Sequence, residues 1–133
     1  RTDADCAIFH RLGTDGDVVL FRKANTTVGS VSITTTATSY NTSSDYRLKE
    51  DLQDFNALEI ASKIKMYDFK WKENDNRSYG VMAHELEEVL PQAVSGEKDG
   101  EEMQSVDYSK LVPILLKSIQ ELEARVKELE KEI

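Results

Sequence analysis

Ser44, Asp45, Arg47 and Lys49 stand within six residues of one another, in the run SSDYRLKED. A serine hydroxyl becomes a nucleophile when a base takes its proton, and a lysine amine serves as that base once desolvation or a neighbouring cation favours its neutral form. Arg47 supplies a cation of the required sign. A Ser and a Lys five positions apart are common, so a solvated loop is the plain alternative to a reactive pair. The histidines offer less. His84 opens the run HELEE, but the zincin pattern His-Glu-x-x-His fails at Glu88, which leaves His84 a structural role at a helix terminus. His10 lies in an alternating segment, as a surface or interface residue, and neither histidine has a nucleophile at a spacing that argues for a Ser-His-Asp triad. The single Cys6 allows no intramolecular disulfide, and one Cys with two His assembles no ordinary zinc site, so no metal and no cofactor are expected.

The reactive run falls where the composition of the 133-residue chain changes. Residues 1–43 carry four Lys and Arg against four Asp and Glu, and residues 44–133 carry 13 against 21, so the whole net charge of −8 belongs to the second part. A field of that sign repels phosphate backbones and anionic lipid, which argues against nucleic acid and membrane surfaces as partners. No segment has the ~18 consecutive apolar residues of a membrane span, and residues 1–10 lack a signal-peptide pattern, so a soluble chain is expected.

Residues 1–43 hold 13 Ser and Thr and several β-branched runs, a composition that favours strands. Turn signals at residues 13–16 and 25–29 divide the segment into three expected strands, CAIFHR, DVVLFR and SVSITTTATSY. So few large apolar groups cannot build a core alone. Either the strands pack on the rest of the chain, or they are the end of an intertwined β-rich fibre.

Beyond residue 44 the period changes. Asn56 and Glu59 have capping-box spacing, and Ala57, Leu58, Ala61 and Ile64 continue at helical spacing to about Lys65. Tyr67, Phe69 and Trp71 then alternate with charged residues, predicting a strand whose aromatic face enters a core or forms a ligand shelf. A return strand over residues 79–83, a helix over residues 84–90 stopped by Pro91, and two short strands flanking a polar loop at residues 96–100 complete an α+β body. Val112, Leu115, Ile119, Leu122, Val126, Leu129 and Ile133 step by alternating threes and fours, with Arg125 at g and Glu130 at the following e. This heptad predicts a coiled-coil helix over about 109–133. An uncovered stripe of that length invites association, so homo-oligomerisation is expected, with packing on the chain's own small sheet as the alternative. By itself, β-branched a with Leu at d leans towards two strands.

Taken together and in order, SSDYRLKED, YGVMAHELEEVLPQAV and SVDYSKLVPILLKSIQELEARVKEL resemble the self-cleaving intramolecular chaperone domains at the C-termini of bacteriophage tailspikes, tail fibres, neck appendages and endosialidases. The resemblance runs from about Ser43 to the end. It implies an intertwined homotrimer with a β-strand stalk segment at 1–43 and a chaperone domain at 44–133. It also implies autoproteolysis between Ser43 and Ser44, with Ser44 as nucleophile, Lys49 as its base, and Asp45 and Arg47 as supporting residues of the motif. Family members are trimeric, so the resemblance sets three strands where the heptad alone leans to two. The partner it implies is the upstream fibre part of the same polypeptide. Assembly would take place in the host cytoplasm, with the N-terminal part kept in the virion tail and the chaperone released. A non-cleaving trimerisation cap is the alternative, and the resemblance leaves open the role of His84 and whether Lys49 acts within its own chain or across chains.

Overall fold

A computed structural model of the chain describes residues 6–133, so the signal-peptide reading over residues 1–10 begins outside the described residues. The chain divides into two compact units, Arg1–Gln53 and Asp54–Ile133. The first contains a three-stranded antiparallel sheet in the order β1-β2-β3, with β1 at Gly16–Lys23, β2 at Thr26–Ile33 and β3 at Thr38–Thr42. Lys23 pairs with Thr26 across a two-residue turn. Ala24 and Asn25 both take positive φ, 47° and 66°, which is the type I′ geometry whose twist matches paired strands. Strand β2 therefore resumes at Thr26, earlier than the loop expected over residues 25–29.

Two further strand expectations change. The segment CAIFHR is irregular; the Arg11 guanidinium is occupied in closing residues 11–17, donating to the Thr14 carbonyl and hydroxyl at 2.9 and 3.2 Å and to the Asp17 carbonyl at 3.3 Å. The long run SVSITTTATSY is broken in two. The Thr34 hydroxyl accepts from the amides of Thr36 and Ala37 at 3.2 and 3.0 Å, so a local side-chain turn wins over the strand propensity of the three threonines.

The second unit is a small α+β body. Helix α1 (Ala57–Lys63) begins where Asn56 Oδ1 accepts from the Glu59 amide at 3.1 Å, which is half of the expected capping box. Glu59 turns its own carboxylate to Lys63 instead, at 2.8 Å. Strands β4 (Tyr67–Lys70) and β5 (Arg77–Gly80) form a hairpin, and helix α2 (Ala83–Glu87) precedes a 3-10 turn at Pro91–Ala93. Strands β6 (Val94–Ser95) and β7 (Ser105–Val106) pair antiparallel, and α3 runs over Leu111–Lys131. The core is Ala57, Leu86, Leu90, Ala93 and Ile114, ringed by Ile60, Ala61, Val81, Val106 and Leu111.

The aromatic face of β4 is shallower than the alternation predicts. Phe69 is half-buried, whereas Tyr67 and Trp71 are exposed, with Trp71 edge-on to Phe69 at 5.1 Å. Gly80 fixes the depth of Phe69, because a β-carbon there would stand 2.5 Å from the Tyr108 hydroxyl and 3.1 Å from the Phe69 ring. That hydroxyl accepts from the Val81 amide at 3.2 Å, so a missing side chain lets a tyrosine reach an otherwise unpaired backbone group.

Helix α3 has two apolar sides. Leu111, Ile114 and Ser118 face α1 and the core, while every heptad residue is exposed, from Leu122 at 49% to Ile133, which is fully accessible. Packing of the stripe on the chain's own small sheet is therefore not the arrangement of the single chain.

Candidate functional site

The candidate site is built on the last strand of the first unit. Beyond β3, the Ser43 amide donates to the Val28 carbonyl at 3.1 Å and its hydroxyl to the Thr27 carbonyl at 3.3 Å, so the β2–β3 ladder holds the residue ahead of Ser44. The chain then turns sharply. Asp45 caps a 3-10 turn at Tyr46–Leu48, its Oδ1 accepting from the Arg47 amide at 2.9 Å, and the Leu48 and Lys49 amides donate to the carbonyls of Asp45 and Tyr46 at 3.1 Å. This one turn of helix reverses the chain so that Lys49 comes back over Ser44. Lys49 Nζ donates to Ser44 Oγ at 2.6 Å. With the amine neutral, the same separation lets the hydroxyl donate to the nitrogen, the direction a general base requires.

Arg47 is committed to Asp45. Its Nε and Nη2 fork onto the two carboxylate oxygens at 2.9 and 2.8 Å. The guanidinium side chain and then the Arg47 backbone amide hold the Asp45 carboxyl below the usual aspartate range, and Asp45 in turn raises Arg47. The fork keeps the cap ionised and oriented. Among the four residues singled out from the sequence, Ser44 and Lys49 meet directly, and Asp45 and Arg47 meet each other and lock the turn between them. All four are exposed in the single chain.

The histidines stand apart from this arrangement. His10 is exposed outside any strand and His84 is half-buried on α2, where the neighbouring Glu85 accepts from Lys65 Nζ at 2.9 Å and from the Tyr67 hydroxyl at 2.8 Å. Those two donors, Lys65 first, hold the Glu85 carboxyl below the ordinary glutamate value. Among the described residues no group of three His, Cys, Asp or Glu side chains converges as metal ligands, and no helix is long and apolar enough to cross a membrane.

Two residues absent from the sequence reading act at the start of α1. Glu121 of α3 accepts from the Ala57 and Leu58 amides, one on each carboxylate oxygen, both at 2.9 Å. Lys117 pairs with Asp54 at 2.7 Å and lies 6.0 Å from the centre of the Phe55 ring. Partners more than sixty positions apart carry no local signature.

Comparisons with known proteins fall on the same stretch of chain. Residues 44–95 match a peptidase family described as the chaperone of endosialidase, and the match begins at Ser44. The long tail fiber proteins Gp37 of Enterobacteria phages M1 and Ox2 are each 37% identical over 95 residues, covering 65% of this chain and 38% of the relative. The Gp37 of Escherichia phage AR1 is 35% identical over 87 residues, 59% of this chain and 8% of that protein. The chain thus spans well under half the length of these relatives. Motif order, family match and relatives converge: residues 44–95 match the chaperone of endosialidase family, and the chain fits the C-terminal chaperone domain of phage tail fibres.

Proposed function

We propose that this chain trimerises and assists the folding of a phage tail fibre, then releases itself by cutting its own backbone between Ser43 and Ser44. The observation that carries the reading is the 2.6 Å approach of Lys49 Nζ to Ser44 Oγ within one chain, next to a Ser43 pinned by the β2–β3 ladder. Lys49 takes the hydroxyl proton as Oγ attacks the Ser43 carbonyl carbon. The bond from that carbon to the Ser44 nitrogen breaks, and the proton returns to the departing amine, leaving an ester on Oγ. Water then hydrolyses the ester, which frees the Ser43 carboxylate and restores the Ser44 hydroxyl. Attachment of all three groups to one chain gives the step a high effective molarity.

An amine acts as a base only when neutral, and removal of water favours that form. Because Ser44 and Lys49 are exposed in the single chain, neighbouring chains supply the cover, so the cut follows assembly. The uncovered heptad of α3 is the assembling element, as a parallel homotrimer. It registers three chains and lowers the entropic barrier to slow, non-local β pairing upstream. Loss of the covalent link afterwards leaves a fibre whose stability is kinetic. In this reading residues 1–43 are the end of the fibre, kept in the virion tail, and the part from Ser44 is released in the host cytoplasm. The same exposure of Ser44 and Lys49 favours, as a second reading, a trimerisation cap that never cuts.

Substitution separates the two. Ser44→Ala and Lys49→Ala each abolish cleavage while leaving the trimer intact, and Ser43→Ala remains cleavable. Mixed trimers of the two inactive chains stay uncut if Lys49 serves its own chain. Restored cleavage of the Lys49→Ala chain assigns the lysine to a neighbour instead. A full-length chain that trimerises and is never cut leaves the cap reading.

A further inference from the structure

The residues that follow Lys49 are fastened to α3 by two side chains that neither the coil nor the cleavage chemistry uses. Lys117 and Glu121 lie one turn apart on the side of α3 turned away from the heptad. Asp54 is held by Lys117 at 2.7 Å and the first two amides of α1 by Glu121 at 2.9 Å, while Asn56 takes the third. All three first-turn amides of a seven-residue helix are thereby satisfied, and two of them depend on α3. Ala57 is wholly buried beneath this clasp. Only residues 50–53 connect Lys49 to Asp54, a stretch that spans at most about 17 Å.

We propose that Lys117 and Glu121 are positioning residues for self-cleavage: by clamping residues 54–58 to the coil helix, they make the short connection to Ser44 and Lys49 answer to coil assembly. This rests on the self-cleavage reading above. With the clasp closed, the reactive segment is tethered at Asp54. With it open, the next fixed point is the core residue Ala57, eight positions after Lys49 instead of five. Lengthening a flexible tether in that ratio lowers the effective concentration of its end by a factor of about two. Lys117→Met, alone or together with Glu121→Gln, is expected to slow cleavage about twofold or more in trimers of normal mass.

A merely stabilising clasp predicts a different pattern, and an insertion exposes it. Placing Gly-Ser-Gly-Ser between Gln53 and Asp54 doubles the connection and keeps every clasp contact. Cleavage should slow by a similar factor of about two with an unchanged melting temperature, whereas a stabilising role leaves the rate as it was. Charge exchange, Asp54→Lys with Lys117→Asp, should recover the rate lost in Lys117→Asp alone. The experiment follows the full chain at one temperature by gel, with light scattering for the trimer and Ser44→Ala beside each variant. Intact trimers of the Lys117→Met, Glu121→Gln double variant and of the insertion cutting at the wild-type rate overturn the proposal. A wild-type chain that is never cut, or a Ser44→Ala chain that is, removes the self-cleavage reading and the proposal with it.

Discussion

Replacing Ile119 or Leu122 by Asp tests whether the exposed heptad is an assembly surface. In the single chain Ile119 is 62% and Leu122 49% accessible, so each keeps about half of its burial for a partner. Full burial of such a side chain is worth ~1.5–3 kcal/mol, which leaves about 1 kcal/mol per residue to be gained on association. Seven positions on three chains would give about 20 kcal/mol gross, against an association cost of ~4–15 kcal/mol for each chain brought in. Assembly on these terms has little surplus. An aspartate at one of these positions forfeits the apolar gain and buries an unpaired charge, at about 3–5 kcal/mol in each chain. Three copies amount to about 9 kcal/mol or more, over six orders of magnitude in the assembly constant. Sedimentation at micromolar concentration should therefore find Ile119→Asp and Leu122→Asp as 15 kDa monomers, with Gln120→Asp, on the side between the heptad and solvent, unaffected. Asp variants that sediment with the wild-type mass would refute the assignment of this face.

Asp45→Ala removes both the cap and the anchor of Arg47, so cleavage should fall about tenfold or more, in line with the loss that follows when a reacting group is misplaced. Asp45→Asn keeps the cap acceptor without the charge and should fall less, as a time course on gels will show; equal rates for Asp45→Ala and wild type would exclude the locked turn. Gly80→Ala should lower the melting transition by about 1–3 kcal/mol of stability, since the new β-carbon displaces Tyr108 from the Val81 amide; an undiminished transition would contradict that packing. The Leu58 and Ala57 amides hold the Glu121 carboxyl below the ordinary glutamate value. A depressed folded-state value means that the contribution of Glu121 is present above the unfolded value and is lost as pH falls through the folded one. Hydrogen exchange at Ala57 and Leu58 should accordingly accelerate on acidification below the ordinary glutamate range, and Glu121→Gln should remove that pH dependence.

Legibility followed the range of the interactions. The span of α3 was readable because a heptad states its period in every turn, and α1 because Asn56 caps an amide three residues away. The helix expected to run to Pro91 stops sooner, at Glu87, and Pro91 opens the 3-10 turn that follows, where its missing amide costs nothing. The hydroxyl of Thr34 was misread because its composition says strand, while its side chain competes for the backbone two and three residues on. The aromatic alternation did not foretell that Tyr67 and Trp71 stay exposed and that only Phe69 is half-buried, at a depth set by Gly80 and Tyr108. At the candidate site, the residue types and the spacing of Ser44 and Lys49 were legible, and an Asp two residues ahead of Arg47 is itself a turn signal. Glu121 and Lys117 were not, because their partners lie across more than sixty residues.

The central claim is a cut at one peptide bond. The most direct measurement is the mass of the small product formed by the full-length wild-type chain after assembly, read together with its N-terminal residue. The account predicts a fragment that begins at Ser44, absent from Ser44→Ala. A product beginning at any other residue, or the same product from Ser44→Ala, contradicts it.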